Sequence, residues 1–333
     1  MLTTLRRGLD GVVTGLARLM LHVFFREVEL LGSERLPRGV PLVIASNHAN
    51  SVVDGVLLLA LPGVRPRLLA KSTLWSHPFM RPLLVLAGAL PVYRRQDPGV
   101  DMAGNLATFA RCHEALAGGA SIALFPEGTS HNEPHALPLK TGAARIVLEA
   151  EAVRGPLGVR IVPVGLSYEA KGRFRSKVRV SVGHPIDPAA EVARYGTQPG
   201  VAIRALTARI AFGLEEVTRP EGWPEERRSV IPSSAWGAFR VLLGIPVLLA
   251  AVVLNWIPYR VPGWVSDRLS TTPDEPATYK LLAGLLAFPL VWSAEVALAA
   301  HAAGALWGLA VAVAAPTSGY AALRLRSRSD HAR

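Results

Sequence analysis

Apolar residues follow three rhythms along this chain, and each predicts a different kind of element. Near the start, Leu9, Val12, Val13, Leu16, Leu19, Met20, Val23 and Phe24 recur at helical spacing, with Arg6, Arg7, Arg18 and Arg26 adding positive charge. Residues 1–34 therefore carry a basic amphipathic helix, suited to a membrane interface or to packing on the protein's own core. From 35 to 218 the apolar runs become short. PLVIAS (41–46), ALPVYR (89–94), SIALFP (121–126), IVPVGLSY (161–168) and KVRVSVGHPI (177–186) predict strands. They alternate with helical patterns at 76–87, 101–117, 142–153 and 201–217. That alternation predicts an α/β domain with a mixed, largely buried sheet flanked by helices.

Beyond a linker at 219–240 the apolar residues become continuous. Val241–Tyr259 carries no charge and ends with Trp256 and Tyr259, which suit a membrane–water interface. Leu281–Leu323 is interrupted only by Glu295 and His301. We expect transmembrane helices within 241–323, with Glu295 marking the turn of a hairpin; buried helices of a soluble core are the alternative. Arg227, Arg228 and Arg240 precede these blocks, and the tail at 324–333 carries Arg324, Arg326, Arg328 and Arg333. The positive-inside rule places both flanks in the cytoplasm, with an even number of crossings.

Composition supports a membrane partner. Of 333 residues, 50% are hydrophobic and only 18% are charged, against about 25% charged in a soluble globular protein. The net charge of +11 suits anionic lipid or a phosphorylated substrate. Scattered arginines, 7% aromatic content and the lack of any zinc-finger spacing argue against nucleic acid. Cys112 is the sole cysteine, and His131 and His135 have no third ligand at zinc spacing, so neither a disulfide nor a metal is expected.

Three predicted strands run into polar clusters, where ligands of an α/β sheet gather. The first is NHANSVVD (47–54). Its spacing puts His48 in a loop and Asp54 in the first turn of a helix capped by Ser51, so the carboxylate can orient the imidazole as a general base. In the second, a strand delivers Arg94 and Arg95 to the sheet edge, one of them turned toward a phosphate. The third is FPEGTSHNEPHALPLKTGAAR (125–145). Here the amides of Gly128, Thr129 and Ser130 are candidates to face an anion, and Lys140 precedes Thr141 at a helix start. Read on their own, a helix-start acid, a solvated arginine pair and an ordinary turn account for the same residues.

Together the clusters resemble the glycerolipid acyltransferase family, which transfers fatty acyl groups to glycerol-3-phosphate and 1-acylglycerol-3-phosphate. The four matching segments are NHANSVVD, GALPVYR (88–94), FPEGTS (125–130) and IVPVG (161–165), all within about 35–190. Five residues separate His48 from Asp54 where the commonest family spacing is four, resembling the branch that includes fungal-type glycerol-3-phosphate/dihydroxyacetone-phosphate enzymes. The resemblance implies His48 as general base and Asp54 as its orienting acid. It implies that Arg94 holds the acceptor phosphate, that Glu127, Gly128, Thr129 and Ser130 position the acceptor, and that Pro163 shapes the acyl-donor side. No cofactor is implied; acyl-CoA or acyl-carrier protein is the co-substrate, and the partners are the bilayer and a phosphorylated glycerol. A covalent route through Ser51, a lipid hydrolase and a non-catalytic lipid binder are the competing expectations; the lack of a G-x-S-x-G elbow weighs against the hydrolase.

Overall fold

The computed structural model describes residues 2–78, 80–94, 103–131, 137–219, 235–272 and 275–329, with backbone only for 2–9, 235–248 and 322–329. The chain divides into two compact units, one of Met1–Lys171 with Ser176–Glu221 and one of Gly172–Arg175 with Gly222–Arg333.

The first unit is built on a seven-stranded sheet in the order β1-β7-β6-β2-β5-β3-β4. The strands are β1 (Glu27–Leu31), β2 (Leu42–Ser46), β3 (Pro66–Lys71), β4 (Leu90–Val92), β5 (Ser121–Leu124), β6 (Arg160–Tyr168) and β7 (Lys177–Val182). All neighbours pair in parallel except β6 with β7, so the sheet is mixed, as the sequence predicts. The central strand β2 is buried at every position, which its unbroken apolar run requires of a sheet covered on both faces.

Helices α4 (Gly104–Ala117), α5 (Gly142–Arg154) and α7 (Pro199–Thr218) enclose the main core. There Val43, Ala45, Ile122, Leu124 and Ile161 of the strands meet Leu116, Ile146, Val147, Leu206, Ile210 and Leu214. Two further helices, α3 (Met80–Leu86) and α6 (Ala189–Tyr195), are short. β6 and α7 approach so closely that a Cβ on Gly165 would lie 2.2 Å from the Val217 carbonyl oxygen. Against that closeness, Pro163 packs its ring on Gly213 of α7.

Helix α1 (Leu2–Phe24) shares this unit with α2 (Ser51–Leu59). It buries Ala17, Leu21 and Phe24 and leaves Val12, Leu19 and Val23 exposed. Arg18 Nε donates to the Ala60 carbonyl at the end of α2 (3.2 Å). The amphipathic helix thus packs on the domain along one side and presents a second apolar line outward.

The second unit contains α8 (Ala235–Leu269), α9 (Pro276–Ala303) and α10 (Ala305–Ser329). The predicted Val241–Tyr259 span falls inside α8, whose side chains are described only from Leu249 onward. Among the described residues, one helix, α9, is long and apolar enough to cross a membrane, and only 11% of its most apolar window is buried; Ala305–Ala321 is a shorter apolar helix. The expected hairpin turn is displaced. Glu295 lies within α9, and the turn falls at Gly304, whose φ of +96° is accessible to glycine but strained for other residues.

Asn255 of α8 is buried and joins all three helices. Its Nδ2 donates to the Ala315 carbonyl (3.2 Å) and Ser318 Oγ (3.4 Å), while Trp292 Nε1 donates to its Oδ1 (3.1 Å).

The β6–α7 contact is testable. Gly165→Ala is expected to destabilise the first unit by about 1–3 kcal/mol, because a methyl group in a filled site forces the backbone apart. Denaturant unfolding followed by tryptophan fluorescence measures it; an unchanged midpoint contradicts the packing described.

Candidate active site

Parallel pairing among β2, β3, β4, β5 and β6 brings the carboxyl ends of five strands to one edge of the sheet. The chain leaves β2 into His48 and α2, β4 into Arg94, and β5 into Glu127 and Gly128, while β6 finishes at Tyr168. Topology therefore assembles polar segments far apart in sequence.

His48 Nδ1 lies 2.8 Å from Asp54 Oδ2. The same oxygen accepts from the backbone amides of Ala49 (2.8 Å) and Asn50 (2.7 Å). Asn50, not Ser51, is the residue capping α2, and the cap runs in reverse, from the Asp54 carboxylate back to the amide of the capping residue. Ser51 opens the helix with a φ of +45°, a left-handed conformation unusual for serine. An ionised carboxylate only accepts hydrogen bonds, so Nδ1 carries the proton and Nε2 keeps its lone pair. The imidazole stacks face to face on Phe125, with ring centroids 4.0 Å apart and planes within 9°. Asp54 is fully buried and His48 retains 18% side-chain exposure, so the acid is sealed while the ring reaches the surface.

Asn47 bridges to β6, donating to the Leu166 carbonyl (3.0 Å) and accepting from the Leu166 amide (2.7 Å). Its carboxamide continues the β2–β6 ladder one residue past the strand and fixes where His48 emerges. Asn50 Nδ2 donates to the Lys171 carbonyl (3.1 Å).

The loop after β5 supplies the other wall. Gly128, with φ +75°, donates its amide to the Phe125 carbonyl (3.0 Å). This corrects one expectation: the Gly128 amide closes the turn instead of facing an anion. Two cations gather here. Arg94 Nη1 donates to the Gly128 carbonyl (3.1 Å), and a Cβ added at Gly128 would lie 2.5 Å from Lys140 Nζ. Thr129 and Ser130 are half-buried beside them. Arg95 and His135 lie outside the described residues.

Glu127 is buried and pairs with His131, whose own amide donates to the His48 carbonyl (3.1 Å). Burial pushes the Glu127 carboxyl above its usual range, opposed by hydrogen bonding and charge from His131 and by the His48 amide. Pro163 stands apart: it lies within β6 beside Ala45 of β2 and packs on α7.

Several participants carried no sequence signal. The Tyr168 hydroxyl donates to Asp54 Oδ1 from 114 residues away, and Lys171 Nζ reaches the His131 carbonyl (3.4 Å). Glu127–His131 is an i,i+4 pair, and that spacing was the one available clue to its formation.

Residues 27–167 match the family model described as Acyltransferase. The chain is 37% identical over 113 residues to glycerol-3-phosphate O-acyltransferase 1 of Saccharomyces cerevisiae, covering 33% of this chain and 15% of that one. It is 30% identical over 156 residues to the chloroplastic 1-acyl-sn-glycerol-3-phosphate acyltransferase BAT2 of Brassica napus, covering 46% of this chain and 41% of that one. A crystal structure of the 1-acyl-sn-glycerophosphate acyltransferase from Thermotoga maritima is similar with a TM-score of 0.48 and 19% identity, over 67% of this chain and 85% of that one. The chain thus spans less than half the length of the two curated relatives named. The matched segment, residues 27 to 167, carries His48, Asp54, Arg94, Glu127 and Lys140, and it is this part of the chain that is similar to the Acyltransferase family.

Proposed function

We propose that this chain is a membrane-bound O-acyltransferase, moving a fatty acyl group from acyl-CoA or acyl-carrier protein to glycerol-3-phosphate or 1-acylglycerol-3-phosphate. The observation that carries the reading is the His48–Asp54 pair, oriented by three donors on one carboxylate oxygen and set at the same sheet edge as Arg94 and Lys140. Matches to one relative named for each acceptor support the substrate class.

In this mechanism the acceptor's phosphate lies against Arg94 and Lys140, whose charges favour a dianion near Gly128. His48 Nε2 takes the proton of the acceptor hydroxyl as its oxygen attacks the thioester carbonyl. Asp54 holds the ring in place and stabilises the imidazolium. The tetrahedral intermediate collapses, the C–S bond breaks, and the imidazolium returns the proton to the departing thiolate. Products are an ester and a free thiol, with no covalent enzyme intermediate. A thioester is already activated, so Ser51, turned into the start of α2, is not needed as a nucleophile.

Membrane attachment rests on α9 and on the exposed apolar side chains Leu286, Leu290 and Leu298 along it. An active site held at the bilayer surface receives acyl tails laterally, and a positive surface draws in anionic substrate.

The direct test is purified full-length protein in detergent with labelled acyl donor, offered each acceptor in turn; absence of ester product with both overturns the reading. His48→Ala and Asp54→Ala are expected to lower turnover by roughly 10²–10⁴-fold while expression and membrane association persist, and near-normal turnover in either removes the base assignment.

Glu127 gives a pH test. A carboxyl raised by burial stabilises the fold fully below the pKa of an exposed glutamate, ~4.3, and that contribution is lost as pH rises through the folded value. Glu127→Gln stays neutral throughout, so its melting temperature relative to wild type becomes more favourable as pH rises above the range of an exposed glutamate. A difference that is constant or reversed as pH rises contradicts the assignment.

A further inference from the structure

Asp54 has two carboxylate oxygens, and they are held differently. Oδ2 receives His48 Nδ1 and the amides of Ala49 and Asn50, whereas Oδ1 receives the hydroxyl of Tyr168, the last residue of β6. We propose that Tyr168 is a positioning residue for His48, acting through Asp54: by holding the second oxygen it fixes the plane of the carboxylate and moderates its pull on the imidazolium. The inference rests on the reading of His48 as the general base.

Three observations support it. A carboxylate anchored through one oxygen can still turn about its Cβ–Cγ bond, and such a terminal torsion is broad. Donors on both oxygens from two different segments, the loop between β2 and α2 and the end of β6, remove that freedom. Next, the Tyr168 ring is itself located: it packs on Phe25 (centroids 6.0 Å apart), which is 1% exposed and meets Phe24 edge to face at 4.9 Å. Finally, burial and the charge of Asp54 raise the Tyr168 pKa well above the ordinary tyrosine range, so the hydroxyl stays protonated and donates throughout the working pH range.

The catalytic consequence follows from charge. A hydrogen bond to Oδ1 draws electron density from the carboxylate, which then stabilises the imidazolium less strongly than a bare carboxylate does. Tyr168 thereby keeps His48 available as a free base at lower pH. Among the described residues, the charged and titratable groups around this pair are Asp54 from α2, Glu127 and His131 from the loop after β5, and Lys171 beyond β6. All remain in place when only the Tyr168 hydroxyl is removed.

The experiment compares full-length wild type, Tyr168→Phe and His48→Ala in detergent, with labelled acyl-CoA and the acceptor that wild type uses. Tyr168→Phe is expected to lower kcat by roughly ten- to a hundredfold, the effect of losing one hydrogen bond to a charged group. Both KM values are expected to stay within about twofold, because the hydroxyl touches Asp54 and not substrate. The acid limb of the kcat/KM profile is expected to move up by about half a pH unit or more, a change that a merely structural role does not produce.

A kcat within twofold of wild type with an unmoved acid limb overturns the inference, and so does a raised acceptor KM at unchanged kcat. If Tyr168→Phe fails to fold, Phe25→Leu loosens the ring while keeping the hydroxyl. A fall in kcat at constant KM then supports the inference and an unchanged kcat overturns it. An inactive His48→Ala beside a normal Tyr168→Phe strikes this inference alone, whereas an active His48→Ala strikes the base assignment beneath it.

Discussion

A carboxylate with no solvent exposure is tolerated only if its lone pairs are met, because the desolvation cost of an unpaired buried charge is several kcal/mol. Asp54 meets that condition with four donors from three sources: an imidazole, two consecutive backbone amides and a phenol. Each donor constrains something else. The two amides set the tight path between His48 and α2, including the left-handed turn at Ser51. The imidazole is locked in one tautomer, and the phenol ties the site to the end of β6. The geometry of this edge of the sheet follows largely from satisfying one buried acid.

The rest of the site is arranged around the His48 backbone. Its carbonyl accepts from the His131 amide, and its amide helps hold the Glu127 carboxyl, which in turn pairs with the His131 ring. Phe125 supplies a flat wall from the same strand exit. Two adjacent parallel strands, β2 and β5, thus deliver loops that brace one another. Backbone hydrogen bonds and aromatic stacking hold the imidazole from directions Asp54 does not cover.

Legibility in the sequence followed the range of the interaction that fixes each feature. Strands β2, β5 and β6 are readable because burial on both faces demands largely apolar runs, and β7 because its valines alternate with polar residues. The edge strand β1 reads EVELL, and its glutamates are explained only by Lys177 and Arg179 on β7 (3.4 and 2.7 Å). β3 opens with a proline and an arginine and is half-buried along most of its length, so no apolar run marks it. The His48–Asp54 pairing was visible because six positions of chain control it. Tyr168 was invisible because its partner is brought near by the sheet. In the apolar C-terminal region, the charge of Glu295 suggested a turn, but backbone freedom placed it at Gly304.

Arg94 is already engaged before any ligand arrives. With one guanidinium nitrogen on the Gly128 carbonyl, this long side chain has surrendered much of its rotational freedom during folding. Immobilising a side chain of this kind at the moment of association ordinarily costs about 0.5–1.5 kcal/mol. Here that entropy is lost once, when the chain folds, so under the proposed function an acceptor phosphate at Arg94 would recover more of its contact energy as affinity.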